Sequence, residues 1–247
     1  MSSTLLLFPP LTPLSLQLAE WEVGEEPEVR EKSMEGQKDS SMPMFALYDV
    51  FHSFKDIHKV VLNLADDLNN AQLNWKPEGY STSIGFHLWH LARESDYLKS
   101  AILHHNPQFV PEFGDGIEIW QKESLAQKWG FPAGLHETVG TGMSDEAAAK
   151  LPIPDKDELL VYLKNSYAAV EGFVEALDSK YSNFESTDEE LRKKIELIRL
   201  NLLVFLTHDC RHLGMMECLK GLQTGFGSAT EKRKSARAAI PGGEDAA

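Results

Sequence analysis

Two histidines, His208 and His212, lie four residues apart in the segment HDCRH, inside the otherwise apolar stretch LNLLVFLTHDCRHLGMMECLKGL. On an α-helix, residues i and i+4 are neighbours about 5–6 Å apart at Cβ, so two imidazoles at this spacing can reach one point. An unpaired buried polar group costs roughly 1–3 kcal/mol, and a metal ion would satisfy both rings at once. The spacing therefore predicts a pair of metal ligands, with two ordinary solvated histidines as the alternative.

The helical face of this pair runs through Phe205 on one side and through Met215 and Leu219 on the other. We therefore expect the two histidines to interrupt a stripe that faces the protein core. Cys210, two residues after His208, would point roughly 160° away from them. It is predicted to be a packed small thiol rather than a ligand.

A further ligand must come from another part of the chain, and the segment GFHLWHLARES offers His87 and His90 on about the same helical side as Glu94. Neutral histidine nitrogens bind zinc, nickel, iron or copper, and three protein ligands with an open position are typical of catalytic sites. A bound cation lowers the pKa of its water to about 7, binds a thiolate or polarises a carbonyl. The residues leave the choice among these chemistries open.

Four amphipathic helices must position these residues, because apolar residues recur with helical spacing in four segments. The first three predicted helices span about 44–70, 83–104 and 155–179, and the fourth begins near 186 or 187. A serine and threonine cluster at 81–83 predicts the N-cap of the second helix, and the Gly-rich GLQTGFGSA predicts the end of the fourth. With a connection of about 106–154 between the second and third helices, the pattern predicts an all-α four-helix bundle.

Composition sets the outer limits of the domain and excludes some functions. The chain of 247 residues has a formal net charge of −14, which disfavours nucleic-acid binding. Residues 1–42 hold eight acidic and three basic residues and are expected to be a disordered acidic leader. Residues 227–247 are expected to be a disordered tail, which leaves 43–226 as the bundle domain. The chain contains no uninterrupted apolar stretch of about 20 residues, so no membrane span is predicted.

The cysteine spacing bears on the cellular setting. Cys210 and Cys218 lie eight residues apart in one predicted helix, too far for a disulfide without unwinding that helix. We therefore expect a reduced, cytoplasmic protein.

Two phrases of the sequence resemble the DinB-like (damage-inducible, YfiT-type) superfamily. NWKPEGYSTSIGFHLWHLARESDYL resembles the start of its second helix, where W-x-P-x-G-x-x-S-I leads to a His before Leu-Ala, and THDCRHLGMMECLKGLQ resembles its last helix. The likeness spans about 44–225 and implies an up-and-down four-helix bundle, in a superfamily whose members often form homodimers. It implies His90, His208 and His212 as ligands of a divalent zinc, nickel or iron ion, with His87 beside them or in the pocket wall.

The resemblance also implies an activity. Members with assigned functions, such as mycothiol-dependent maleylpyruvate isomerase and bacillithiol S-transferases, use the metal with low-molecular-weight thiols. We therefore expect a thiol-dependent S-transferase or hydrolase acting on a small-molecule substrate, with the 106–154 connection shaping the pocket. Glu94 is the candidate catalytic proton acceptor or supporting carboxylate, and a surface glutamate beside Arg93 is the alternative.

Two other interpretations remain. The metal could belong to a non-catalytic, metal-binding stress-response protein, in which case a fourth protein ligand such as His87 or Cys210 should close the site. The protein could also be a plain helical bundle with incidental histidines. The tryptophans at 89, 120 and 129 could line an apolar pocket, although core packing is the commoner use of such residues.

Overall fold

The computed structural model describes residues 47–79, 82–181 and 189–225. The predicted leader, 1–42, and the predicted tail, 227–247, lie outside these residues, so the domain limits stay predictions. All regular elements in the described ranges are helical. The α-helices are α1 (Leu47–Asp66), α2 (Asn70–Asn74), α3 (Ile84–His105), α4 (Val110–Phe113), α5 (Ile119–Lys122), α6 (Leu125–Lys128), α7 (Asp145–Ala149), α8 (Lys156–Tyr181) and α9 (Glu189–Thr224).

The ends of the two helices that carry the histidines follow from local sequence. Ser83 is the N-cap of α3, and its side chain accepts a hydrogen bond from the backbone N–H of Phe86 at 3.2 Å, as the serine and threonine cluster predicts. Helix α9 ends at Thr224, and Gly225 follows with a φ of +77°. Glycine adopts this left-handed conformation without strain, which explains why the helix stops here.

The four long helices, α1, α3, α8 and α9, pack as a bundle, which confirms the predicted fold class. The most extensive packing is between α3 and α8, while α1 packs against α8 and α9, and α3 also packs against α9. The contact between α3 and α9 brings the two histidine-bearing segments together. No helix in the described ranges is both long and apolar enough to cross a membrane.

The predicted long connection between α3 and α8 is well packed. Trp120 and Trp129 are buried and contact one another with ring centroids 5.5 Å apart, and Trp120 also contacts Trp89 of α3 at 6.3 Å. Trp89 and Trp120 are therefore core residues, whereas Trp129 packs on Trp120 and also lines a surface cavity with Leu125 and Tyr162. Asp96 of α3 accepts hydrogen bonds from the backbone N–H groups of Ile119 and Trp120, each at 2.9 Å, and so anchors the start of α5.

Candidate metal centre

Three histidines from two helices form one cluster. His90 of α3 and His208 and His212 of α9 each offer one ligand atom, and these atoms all lie within 4.8 Å of one another. The Nε2 atoms of His90 and His208 are 3.0 Å apart. His90 and His212 are buried, with 4% and 8% of their surfaces exposed, and the side chain of His208 is 15% exposed. The predicted ligands therefore meet at one point.

The hydrogen bond at the far side of His90 determines which of its nitrogens faces the cluster. His90 Nδ1 lies 2.5 Å from the carbonyl oxygen of Val139, and because a carbonyl only accepts, Nδ1 carries the proton. In the neutral ring the lone pair is then on Nε2, directed at His208. Two imidazole nitrogens on a tetrahedral zinc ion at about 2.0–2.1 Å would be about 3.3 Å apart. The Nε2 atoms of His90 and His208, 3.0 Å apart, would have to separate by only a few tenths of an ångström to bind such an ion.

His87 supports His212 in a similar way. The Nδ1 atoms of the two rings are 2.9 Å apart in a buried contact, so one ring donates a hydrogen bond to the other. Only the form in which His212 Nδ1 donates to His87 Nδ1 leaves a lone pair on His212 Nε2 for the cluster. Burial lowers the pKa of His87 and of His90 to about 4, and burial together with the neighbouring histidines lowers that of His212 to about 2. These rings are therefore neutral at pH 7, as metal ligation requires.

A short loop of the connection, residues 138–141, lies directly on the histidine face of α3. Beyond the contact of Val139 with His90, the carbonyl oxygen of Thr138 accepts a hydrogen bond from Arg93 Nε at 3.2 Å. Gly140 has a φ of +102°, and a Cβ placed there would lie 2.9 Å from His90 Nδ1 and 3.0 Å from the Trp89 ring. Only glycine fits this close approach.

Thr141, the last residue of the loop, contacts Glu94. Its hydroxyl donates a hydrogen bond to Glu94 Oε1 at 2.6 Å. Glu94 is only 4% exposed, which rules out the surface-glutamate alternative. Burial raises the pKa of Glu94, although the bond from Thr141 and the nearby His208 oppose this effect. Glu94 is thus a buried carboxyl one helical turn beyond His90, with an increased tendency to hold a proton.

Comparisons with known proteins identify the family and support the fold. The sequence pattern of the DinB superfamily matches residues 53–216, more than half of the chain. The chain belongs to the DinB superfamily. Its fold is similar to a crystal structure described as the conserved protein of locus from Enterococcus faecalis. That match has 21% identity and a TM-score of 0.53, and covers 74% of this chain and 99% of that one. No curated protein was found to match the sequence.

Two predictions about the last helix of this DinB-superfamily protein are corrected by the structure. Leu219 is buried and Phe205 packs partly buried against the core, as expected, but Met215 is 41% exposed. The histidine pair therefore lies at the edge of the buried face of α9, which also includes Leu213 and Met216. Cys210 is an exposed free thiol rather than a packed one. Both errors have the same cause. Helix α9 is 36 residues long, and the spacing of its apolar residues indicates only approximately which face its neighbours cover.

Several residues that the fold brings to the centre carry no sequence pattern that predicts a role. Val139 and Thr141 lie in the connection, where no spacing relates them to α3. Asp209 lies inside HDCRH without a partner at helical spacing, and no spacing relates His58 of α1 to the other histidines. Asp209 contacts Nδ1 of His208 and His58 contacts Asp209, and Asp209 and His58 are buried, with exposures of 2% and 1%. A charged residue within the apolar part of α9 was the available signal, because such residues are rarely buried without a partner.

Proposed function

We propose that this protein is a metal-dependent enzyme whose divalent zinc, nickel or iron ion is bound by His90, His208 and His212. The carrying observation is that these side chains converge while the outer nitrogens of His90 and His212 are engaged by Val139 and His87. Such outer contacts fix ring orientation and are a regular feature of histidine metal sites. When bound, the ion would act as a Lewis acid towards water, a thiolate or a carbonyl.

A catalytic role is favoured over a closed, non-catalytic site. Among the residues that the structure describes, the cluster of possible ligands contains these three histidines. The two candidates for a fourth ligand are directed elsewhere, since His87 contacts His212 and Cys210 is exposed. Three protein ligands with an open position are the usual arrangement when the metal takes part in chemistry.

Glu94 is the proposed proton carrier. The pKa of Glu94 is raised towards neutral pH, and a carboxyl group with such a pKa can both accept and return a proton during a reaction. The hydrogen bond from Thr141 to Oε1 fixes the carboxyl group and leaves Oε2 for a reacting molecule. The burial of His90 and Glu94, each 4% exposed, keeps bulk water away from this side of the site and strengthens each electrostatic contact.

The proposed reaction class is thiol-dependent S-transfer or hydrolysis of a small molecule. Superfamily membership supports this reaction class, because the superfamily members with assigned activities use low-molecular-weight thiols. The net charge of −14 makes nucleic acid an unfavourable substrate. We also propose a homodimer, and the neighbouring exposed apolar residues Leu197 and Leu200 of α9 would lie on a surface that a second copy covers.

The test is elemental analysis of the full chain purified without a histidine tag, beside a His208→Ala/His212→Ala variant. About one equivalent of zinc, nickel or iron in the wild type, absent from the variant, supports the site. The loaded protein is then screened for thiol transfer and for hydrolysis, with Glu94→Gln as the comparison. Tight metal binding without turnover on any substrate class would favour the non-catalytic stress-response alternative, and a wild type that resists metal loading would leave a plain helical bundle.

A further inference from the structure

A line of four side chains connects the surface of the bundle to the metal centre. Asp209 Oδ1 lies 3.5 Å from Nδ1 of the neighbouring His208, and its Oδ2 lies 3.4 Å from His58 Nε2. On its other side, His58 Nδ1 donates a hydrogen bond to Glu171 Oε1 at 2.7 Å. Helices α1, α8 and α9 each contribute to this line. Glu171 is the most exposed of the four, with 24% of its side chain accessible against 15% for His208, while His58 and Asp209 between them are buried.

His58 is held by a hydrogen bond at Nδ1, whereas its Nε2 makes the 3.4 Å ion-pair contact with Asp209 and, among the described residues, no hydrogen bond. Its ring stacks on that of Tyr167, with centroids 3.5 Å apart and planes within 5° of parallel. Burial lowers its pKa, but the contacts with Asp209 and Glu171 outweigh burial and the pKa of His58 is raised. A ring that is readily cationic between two carboxylates balances their charge, which explains how Asp209 can be buried.

The contact of Asp209 with His208 matters because His208 has two possible neutral forms. With its proton on Nε2, His208 would donate to His90 Nε2, 3.0 Å away, and the two rings would satisfy each other without any ion. With its proton on Nδ1, His208 directs a lone pair at the centre. A carboxylate beside Nδ1 attracts the proton to that nitrogen and so favours the second form.

We infer that Asp209 and His58 are positioning residues that hold His208 with its proton on Nδ1, so that Nε2 stays available to a cation. Asp209 acts directly on the ring, and His58, braced by Glu171 and Tyr167, fixes Asp209. The effect on metal affinity rests on the proposed function, whereas the effect on the proton position of His208 does not. The two parts can therefore be tested separately.

The first experiment measures the ring nitrogens of His208 by ¹⁵N–¹H NMR in the metal-free full chain. We expect a protonated Nδ1 in the wild type and a change to protonated Nε2 in Asp209→Ala, where His90 is the remaining partner. Asp56→Ala, at an exposed position of α1, is the control and should leave His208 unchanged. If Asp209→Ala fails to fold, Asp209→Asn is expected to shift the same equilibrium part of the way. The same ring protonation in wild type and variants would overturn the inference.

The second experiment titrates the same proteins with Co²⁺ and records the visible absorption of the bound ion. Asp209→Ala should weaken Co²⁺ binding about 10–100-fold, the usual effect of losing an outer partner of a histidine ligand. His58→Phe, which keeps a ring on Tyr167, should weaken it about 3–10-fold. The double variant should be no weaker than Asp209→Ala alone, because His58 acts through Asp209.

The outcomes separate the inference from the proposed function. Wild-type Co²⁺ affinity and absorption in Asp209→Ala, with only a lower melting temperature, would mean that Asp209 is merely structural and the inference is wrong. A wild type that binds no Co²⁺ would refute the proposed metal centre. In that case the NMR result alone would test whether Asp209 determines the proton position of His208.

Discussion

His90 Nε2 lies 3.0 Å from His208 Nε2 although the two residues are 118 positions apart in the sequence. The contact exists because α3 packs against α9 and because Val139 holds His90 from behind. With the protons of both His90 and His208 on Nδ1, the two Nε2 atoms would present lone pairs to each other, and a cation between them would remove that unfavourable contact.

Replacing His90 should abolish metal binding without unfolding the bundle. His90→Ala removes one of three ligands, so the metal content should fall from about one equivalent per chain to almost none. His105→Ala, at an exposed position near the end of the same helix, should keep its metal. Elemental analysis of both variants checks this, and metal retained in His90→Ala would exclude the proposed ligand set.

Metal should stabilise the folded protein. A ligand at about 100 times its Kd that binds only the folded state adds about 2.7 kcal/mol to the free energy of unfolding. For a domain of this size that corresponds to an increase in Tm of roughly 5–10 °C. Differential scanning fluorimetry with and without added zinc measures it. An equal rise in the His208→Ala/His212→Ala variant would show that the metal binds elsewhere.

Gly140 and Gly142 offer a matched pair of substitutions. Both have positive φ, +102° and +74°, but a Cβ at Gly140 would meet His90 and Trp89, whereas one at Gly142 would meet nothing within 4 Å. Gly142→Ala should cost only the backbone strain, about 1–2 kcal/mol. Gly140→Ala should cost more, and should also weaken metal binding by displacing His90. Urea unfolding and Co²⁺ titration of both variants decide whether the loop positions the ligand, and equal effects would contradict it.

The metal-free protein should lose stability in acid. The pKa values of His87 and His90 are lowered from 6.5 to about 4, and that of His212 to about 2, chiefly by burial. Between pH 6.5 and 4 the unfolded chain binds protons that the folded chain does not, so the free energy of unfolding decreases as the pH falls. We expect a loss of about 2–5 kcal/mol, reduced by the raised pKa of Glu94.

Urea unfolding at several pH values measures this dependence, and His87→Gln should remove about a third of it, because one of three groups is lost. His58 acts in a different range. Its pKa is raised, so its contribution is complete below pH 6.5 and is lost as the pH rises through its folded pKa. A stability that is flat from pH 6.5 to 4 would contradict the neutral, buried state of the three histidines.

Glu94→Gln should reduce turnover while leaving the metal in place. The amide keeps the shape and the contact with Thr141 but cannot carry the proton, so kcat should fall about 10²–10⁴-fold. The acidic limb of the pH profile should disappear with it. Glu78→Gln, at an exposed loop position, is the control. The experiment uses whichever substrate the thiol-transfer or hydrolysis screen identifies, and an unchanged kcat would remove Glu94 from the mechanism.

The sequence alone determined the features that depend on neighbours within a few residues. The N-cap at Ser83, the stop at Gly225 and the i, i+4 pair of His208 and His212 are local, because helix geometry relates residues that are close in the chain. The bundle follows from four segments of helical periodicity. His90 was identified through resemblance, since spacing alone left His87 equally available.

Tertiary structure decided everything that depends on how the helices are rotated and packed. Because α3 and α9 meet at one particular angle, His90 faces His208 while His87 contacts Nδ1 of His212. The contacts of Val139 with His90 and of His58 with Asp209 join residues 49 and about 150 positions apart. No local pattern encodes such pairs, since they form only when side chains from different helices are packed together.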